Sequence, residues 1–245
     1  MYERLATRST YEALAAEYYD SSRHPTCANF RQASLLVVTE FLESARHSPT
    51  GLWCDLGAGD SVLLEAMDRN PWRVDHRRIM LIDASQRMLL HTPRARLRGE
   101  RLVLAQVDEL PLPDRSVGLV IASLGDPYNL PSFWHELGRV AEIGAVVCYT
   151  TPSYQWALSY RTVEGSPDDR ARFLLSDGNI VEVDSIILPP ERQVRMCENS
   201  GFVVDQIVEI SVSQLVGPIS PKLKGFDKAV TGFVCRRLGG CSVPL

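Results

Sequence analysis

Residues 53–61 read Trp53-Cys54-Asp55-Leu56-Gly57-Ala58-Gly59-Asp60-Ser61. An apolar run enters two glycines and leaves as an amphipathic stretch, Ser61–Arg69, so a buried strand is expected to turn sharply into a helix. Glycines at such a turn let backbone come close to a ligand, because no Cβ intervenes. Taken alone, the pattern also fits an ordinary strand–helix turn.

The same alternation continues outward. Strand-like runs are expected at Leu52–Leu56, Ile79–Ile82, Leu102–Ala105, Val117–Leu124 and Ala145–Thr151. Helices are expected at Ser85–Ala95 and Ser132–Glu142, the latter opened by Pro131. After a departure at residues 153–187, Pro190 and Glu191 open a helix that Gly201 closes, and strands follow at Phe202–Ile210 and Val230–Arg237. With no clear helix between those two strands, the last is expected to run antiparallel. Residues 212–228 read as a loop. The pattern predicts an α/β fold: a mostly parallel seven-stranded sheet with helices on both faces. Upstream, residues 9–20 and 29–46 carry helical spacing, interrupted by Pro25, and form an N-terminal helical cover. Residues 153–187 combine a helical Tyr154–Val163 with Ala171–Ser176 and Asn179–Ile186 around Asp177-Gly178, a two-residue hairpin signal, and read as an inserted lid or ribbon. The expected organisation is one domain over 1–245: cover 1–48, ligand-binding core 49–152, insert 153–187 and C-terminal part of the sheet 188–245.

Three residues converge on the first turn. Asp55 precedes the glycines, where a carboxylate meets the ammonium of an amino-acid ligand. Asp83 ends the second strand, where an acidic residue accepts from both hydroxyls of a ribose. Gln106 ends the third strand at the same carboxyl edge, where open α/β sheets bind ligands.

The bulk properties narrow the partners. Of 245 residues, 45% are hydrophobic and 23% charged, the balance of an ordinary globular protein. A net charge of −4 leaves the chain without the positive field of nonspecific nucleic-acid binding. One stretch departs from this: Arg73, Arg77, Arg78, Arg87, Arg94, Arg96, Arg98 and Arg101 form either a solvated face or a docking patch for an anionic acceptor or RNA. The six cysteines, Cys27, Cys54, Cys148, Cys197, Cys235 and Cys241, show no C-x-x-C and no accompanying histidines, so no metal site is expected. Reduced thiols, no apolar signal segment and no membrane-length run lead to the expectation of a cytoplasmic protein.

Ordered motifs along the chain resemble those of the class I, Rossmann-like S-adenosylmethionine-dependent methyltransferases of the small-molecule type. Tyr11…Ala15…Tyr19-Asp20 resembles that family's Y-D-x-x-A-x-x-Y-D segment. Asp55-Leu56-Gly57-Ala58-Gly59 resembles D-L-G-C-G, and Leu81-Ile82-Asp83-Ala84-Ser85-Gln86-Arg87-Met88-Leu89 resembles V-D-I-S-x-x-M-L. Leu110-Pro111-Leu112-Pro113-Asp114-Arg115-Ser116 resembles L-P-F-x-D-x-S. Glu136-Leu137-Gly138-Arg139-Val140, with Gly144 and Thr151-Pro152 beyond it, resembles E-L-x-R-V-L-K-P-G-G…T-x-P, and Gly201-Phe202 closes the series. The resemblance implies S-adenosylmethionine as cofactor. Tyr19 covers it, Asp55 and Gly57, Ala58 and Gly59 hold its methionine portion, and Asp83 holds its ribose. Ala84 and Met88 face the adenine, Gln106 accepts from adenine N6, Val107 donates its backbone N–H, and Ser123 lies beside the methyl group. The chain departs from the pattern at Ser61 (a third glycine), Gln106 (aspartate) and Val117-Gly118 (F-D).

Methyl transfer from a sulfonium is an in-line displacement in which alignment supplies much of the rate, and a base is needed only when the acceptor arrives protonated. Asp126 and Tyr128, in the loop after the fourth strand, and His24 are the candidates for orienting or deprotonating an acceptor. Asp126-Pro127 also reads as a turn, His135 as a solvent-facing helical histidine, and Tyr154, Trp156 and Tyr160 as either packing or pocket lining. Three functions remain: methyl transfer to a small molecule, a weakly active or inactive regulatory subunit of the same fold, and RNA methylation. A nicotinamide oxidoreductase is disfavoured, since Val62 occupies the third glycine position of G-x-G-x-x-G and Asp55 repels a pyrophosphate.

Overall fold

The computed structural model describes residues 10–44, 50–69, 74–93, 97–164 and 169–239, with side chains omitted at 161–164. Arg73, Arg94, Arg96 and Cys241 lie outside them. Nine strands are found among the described residues: β1 (Leu52–Leu56), β2 (Ile79–Asp83), β3 (Arg101–Leu104), β4 (Val117–Ala122), β5 (Ala141–Pro152), β6 (Arg170–Leu174), β7 (Ile180–Asp184), β8 (Phe202–Ser211) and β9 (Lys228–Arg237). The helices are α1 (Pro25–Ser44), α2 (Val62–Arg69), α3 (Gln86–Leu89), α4 (Pro131–Val140), α5 (Tyr154–Glu164) and α6 (Pro190–Asn199), preceded by a helical stretch at 10–14.

Seven strands form one sheet in the order β3-β2-β1-β4-β5-β9-β8. β1 to β5 pair in parallel, and β9 runs antiparallel to both β5 and β8. The expected mostly parallel sheet with an antiparallel last strand is therefore observed. The strand order reverses between β1 and β4, which opens a crevice at the carboxyl edge.

Side chains alternate between two cores across the sheet. Trp53, Leu119 and Ile121 pack with α1 and α2, while Cys54, Leu56, Val120 and Ala122 pack with Phe133, Trp134 and Leu137 of α4 and Cys197 of α6. No cysteine among the described residues is in a disulfide.

Four expectations need correction. Pro25 does not interrupt the cover; it opens α1 from its first turn. The helix expected to run to Ala95 stops at Leu89, because His91 and Thr92 are drawn into tertiary contacts: His91 Nε2 lies 2.6 Å from the Ala15 carbonyl, and the Thr92 hydroxyl donates to the Gly59 carbonyl at 2.7 Å. β5 starts four residues early, at Ala141, with a bulge against β4 and Gly144 at φ 83 absorbing the extra residues. Lastly, Asp177-Gly178 is not a two-residue turn. Only Gly178 has positive φ (87), the Gly178 N–H donates to Leu175 O, and the Leu175 N–H donates to Asn179 O. This is a longer loop, a turn closed by a left-handed glycine.

Candidate functional site

At the end of β1, Gly57 and Gly59 take φ of 65 and 46. A Cβ on Gly57 would stand 2.9 Å from the Tyr128 ring, and one on Gly59 only 2.1 Å from the Tyr19 hydroxyl. Both glycines are thus required twice, by backbone conformation and by the tyrosines that close over them. The Tyr19 hydroxyl accepts from the Asp60 N–H at 2.8 Å, and the His91 ring meets the Tyr19 ring edge-on at 4.8 Å.

Asp83, at the end of β2, faces the same turn. Its Oδ2 accepts from the Gly59 N–H at 3.1 Å and its Oδ1 from the Ser85 N–H at 2.9 Å. Each oxygen keeps a further lone pair. Burial raises this carboxyl to about 6, against the lowering effect of the two N–H donors.

A cavity opens over these groups. It is lined by Tyr19, Gly57, Ala58, Asp83, Ala84, Met88, Gln106, Val107 and Ser123, together with Arg31, Tyr11, Tyr18 and Tyr128. Ten of the site residues singled out from sequence, Tyr128 among them, therefore meet in one place. Gly59 shapes the turn without lining the cavity.

Asp55 is displaced from its expected role. It is 1% exposed and points beneath the turn, where its Oδ2 accepts from the Ser61 hydroxyl at 2.6 Å and the Leu63 N–H at 3.3 Å. It does not line the cavity where an ammonium group is expected to meet it; its carboxyl accepts at the N-terminus of α2 instead. Burial raises its carboxyl to about 7, opposed by Ser61, Leu63 and Arg31. Ser61 is explained by the same geometry. Its φ is not positive, and its hydroxyl accepts from the Leu64 N–H at 3.1 Å, capping α2.

A second cavity of about 380 Å³ adjoins the first and falls in the size range of ligand pockets, roughly 300–1,000 Å³. Tyr11, Tyr18, Leu124 and Pro127 line both. Leu124 is a non-glycine residue at φ 51, held by hydrogen bonds from its own N–H to Thr150 Oγ1 and from the Gly125 N–H to Thr150 O, both 2.9 Å.

The catalytic candidates separate between the cavities. His24 and Asp126 line the second, while Tyr128 lines only the first. Asp126 is 7% exposed and accepts from the Ser185 hydroxyl. Burial holds the His24 imidazole below its usual range, and its Nε2 is buried without a hydrogen-bond partner. Tyr128 is corrected to a wall: its hydroxyl already donates to the Leu56 carbonyl at 2.7 Å, and burial, helped by Asp55, raises the phenol well above its usual range.

Sequence reasoning missed Arg31, Tyr18 and Lys222. Arg31 reaches the first cavity from α1, paired with Asp60 at 3.0 Å and Glu65 at 2.7 Å. Of the residues left between packing and pocket, Trp156 and Tyr160 line the second cavity, whereas Tyr154 packs on the core. His135 is exposed as expected. The arginine patch is laced with partners: Arg77 pairs with Asp75, Arg87 with Glu12 and Arg98 with Asp68, and Arg78 donates to the Gly51 carbonyl. Among the described residues there is no cluster of three metal-ligating side chains, and no helix is long and apolar enough to cross a membrane.

No protein-family model matches the sequence, and no curated protein matches it. Solved structures do match the fold. In a complex between the Haloferax volcanii Trm112 methyltransferase activator and a candidate methyltransferase, the matched chain has TM-score 0.67 and 15% identity, covering 96% of this chain and 98% of that one. DhpI, solved as a complex with SAM and HEP, has TM-score 0.66 and 16% identity, with 95% and 97% covered. The Burkholderia thailandensis 1,6-didemethyltoxoflavin-N1-methyltransferase, solved with 1,6-didemethyltoxoflavin and S-adenosylhomocysteine, has TM-score 0.56 and 11% identity, with 97% and 90% covered. The sheet order, the single antiparallel strand and these matches over nearly the whole length give the chain the class I, Rossmann-like fold of S-adenosylmethionine-dependent methyltransferases.

Proposed function

We propose that the chain is an S-adenosylmethionine-dependent methyltransferase whose acceptor is a small molecule. The observation that carries this reading is the pairing of two cavities. One is built on the glycine turn and Asp83 at the strand-order reversal, and the other opens beside it across Leu124 and Pro127. In the first, the Asp83 carboxylate would accept from the ribose hydroxyls. Ala84 and Met88 would face the adenine, the Val107 N–H and Gln106 would meet its polar edge, and Gly57 and Ala58 would let backbone approach the methionine portion. The cofactor supplies an electrophilic methyl on a sulfonium. The protein's part is to orient the acceptor, exclude water and, where the acceptor carries a proton, remove it. His24 and Asp126 are the groups in the acceptor cavity able to take that proton; the depressed imidazole is a free base at neutral pH.

With Tyr19 closed on Asp60, the first cavity measures about 130 Å³. That is below the roughly 300 Å³ at which ligand pockets begin. Entry of a nucleoside with an amino-acid tail therefore requires the Tyr11–Tyr19 cover to move. The cover is held to the hairpin by Glu17, which accepts from the Ser176 N–H at 3.0 Å, so cover and hairpin would open together.

Calorimetry with S-adenosylmethionine and S-adenosylhomocysteine tests the reading. Binding of both is expected, followed by S-adenosylhomocysteine formation with an accepted substrate. Absence of binding at millimolar ligand refutes it.

A further inference from the structure

The walls of the second cavity are aromatic: Tyr11, Tyr18, Phe30, Trp156, Tyr160 and Phe173. Its charged lining is otherwise one-sided, with four cations, Arg23, Arg170, Arg172 and Lys222, against the single acid Asp126. Three of the cations are already answered from behind, Arg23 by Glu17, Arg170 by Asp184 at 3.3 Å, and Arg172 by Glu182 at 2.8 Å. Lys222 is not. Among the described residues it has no ion pair, and its Nζ stands 4.7 Å from the centre of the Tyr160 ring.

His24 lies near this ammonium. Its side chain is 9% exposed, its Nε2 has no hydrogen-bond partner, and the Glu17 carboxylate is 4.0 Å away, beyond hydrogen-bonding reach. The Lys222 charge is close enough to lower the imidazole further. The two residues are far apart in the chain and are brought together by a built contact. The Thr26 and Ser220 hydroxyls meet at 2.7 Å, the Ser220 hydroxyl accepts from the Lys222 N–H at 3.2 Å, and Trp156 Nε1 donates to the Lys222 carbonyl at 2.8 Å. The His24 ring is also held edge-on to Phe173 at 5.5 Å. A solvent-exposed ammonium with no ion pair among the described residues and a buried imidazole whose Nε2 lacks a partner both line this aromatic chamber, and together they form an anion seat with an apolar body pocket attached.

We propose that the second cavity takes an anionic aromatic compound, its acid group held by Lys222 and by the N–H of a neutral His24, which leaves Asp126 as the group to take a proton, and its ring enclosed by the aromatic walls. This rests on the reading of the cavity as the acceptor site and names the acceptor's chemical class. Benzoate and benzamide, matched in shape and differing in charge, are the probes, titrated into the full chain by calorimetry beside a separate titration with S-adenosylmethionine. Benzoate is expected to bind at least about ten-fold more tightly than benzamide, as a charge-assisted contact provides. Lys222→Gln should abolish the preference while leaving S-adenosylmethionine affinity unchanged, and His24→Gln should weaken benzoate by several-fold. Equal binding of the two probes, no binding of either, or a preference that survives Lys222→Gln overturns the proposal. A benzoate preference in a chain that does not bind S-adenosylmethionine keeps the anion seat and removes the methyltransferase reading instead.

Discussion

With Asp83 assigned to the ribose as proposed, cofactor affinity should depend on pH. Burial raises it to about 6, while its two oxygens already accept from the Gly59 and Ser85 N–H groups. Only the ionised form has lone pairs free on both oxygens to accept two hydroxyls; a proton converts one oxygen into a donor. At pH 8 the group is almost wholly ionised, and at pH 5 about one-tenth remains so, so affinity should fall about ten-fold across that interval, with nearly all of the loss below pH 7. Asp83→Asn removes the titration and one acceptor. It should bind about ten-fold or more weakly at pH 8, consistent with one charge-assisted hydrogen bond of about 1.5–3 kcal/mol, and should show a flat profile. Isothermal calorimetry of S-adenosylhomocysteine at half-unit pH steps, for wild type and variant, measures both. A wild-type affinity constant from pH 5 to 8, or a variant that follows the wild-type curve, refutes the assignment of Asp83 to the ribose.

Asp55, raised from 3.8 to about 7, stays protonated in the folded chain after the unfolded chain has released its proton. Its contribution is therefore full below pH 4 and is lost as pH rises through 7. Asp55→Asn should accordingly gain about 2–3 kcal/mol on wild type between pH 5 and pH 8 in urea unfolding, and a pH-independent difference counts against this. Gly59→Ala sets a methyl 2.1 Å from the Tyr19 hydroxyl on a backbone at φ 46. It should cost about 1–2 kcal/mol from the backbone alone and weaken the cofactor complex; an unchanged melting temperature and affinity would contradict the turn geometry. Asn129→Ala strips partners from Trp134 Nε1, the Ile186 carbonyl and Gln193 Oε1, all bonded to one buried amide. A loss of about 2–4 kcal/mol in denaturant unfolding is expected, and a loss under about 0.5 kcal/mol would mean the neighbours find other partners.

The sheet was legible because β1, β2 and β4 are continuous apolar runs between helical stretches, a pattern that buried parallel strands impose directly on sequence. The glycine turn, Asp83 and Gln106 were legible for a related reason: in a parallel sheet, strand ends carry their residues to one edge. What stayed hidden depends on contacts between distant segments. Nothing local marks Asp55 as pointing under the turn; the signal was Ser61, a capping residue six positions on, in place of a glycine. Thr92 and His91 read as helix until the glycine turn and the cover claim them. Lys222 sits in a stretch that reads as plain loop, and it is long-range contacts, Thr26–Ser220 and Trp156 Nε1 to the Lys222 carbonyl, that bring it to the cavity.

Leu124 holds its backbone in a region that disfavours side chains by about 1–2 kcal/mol. A glycine would sit there without strain, yet the leucine side chain forms part of the partition between the two chambers. Leu124→Gly would relieve that strain, but it would also strip an apolar side chain from the core and widen the opening between the chambers. On the proposed reading, the tension in this one peptide unit is kept because the side chain it carries divides the chambers, so a glycine that relaxes the backbone there is the substitution to avoid when engineering the protein for fidelity.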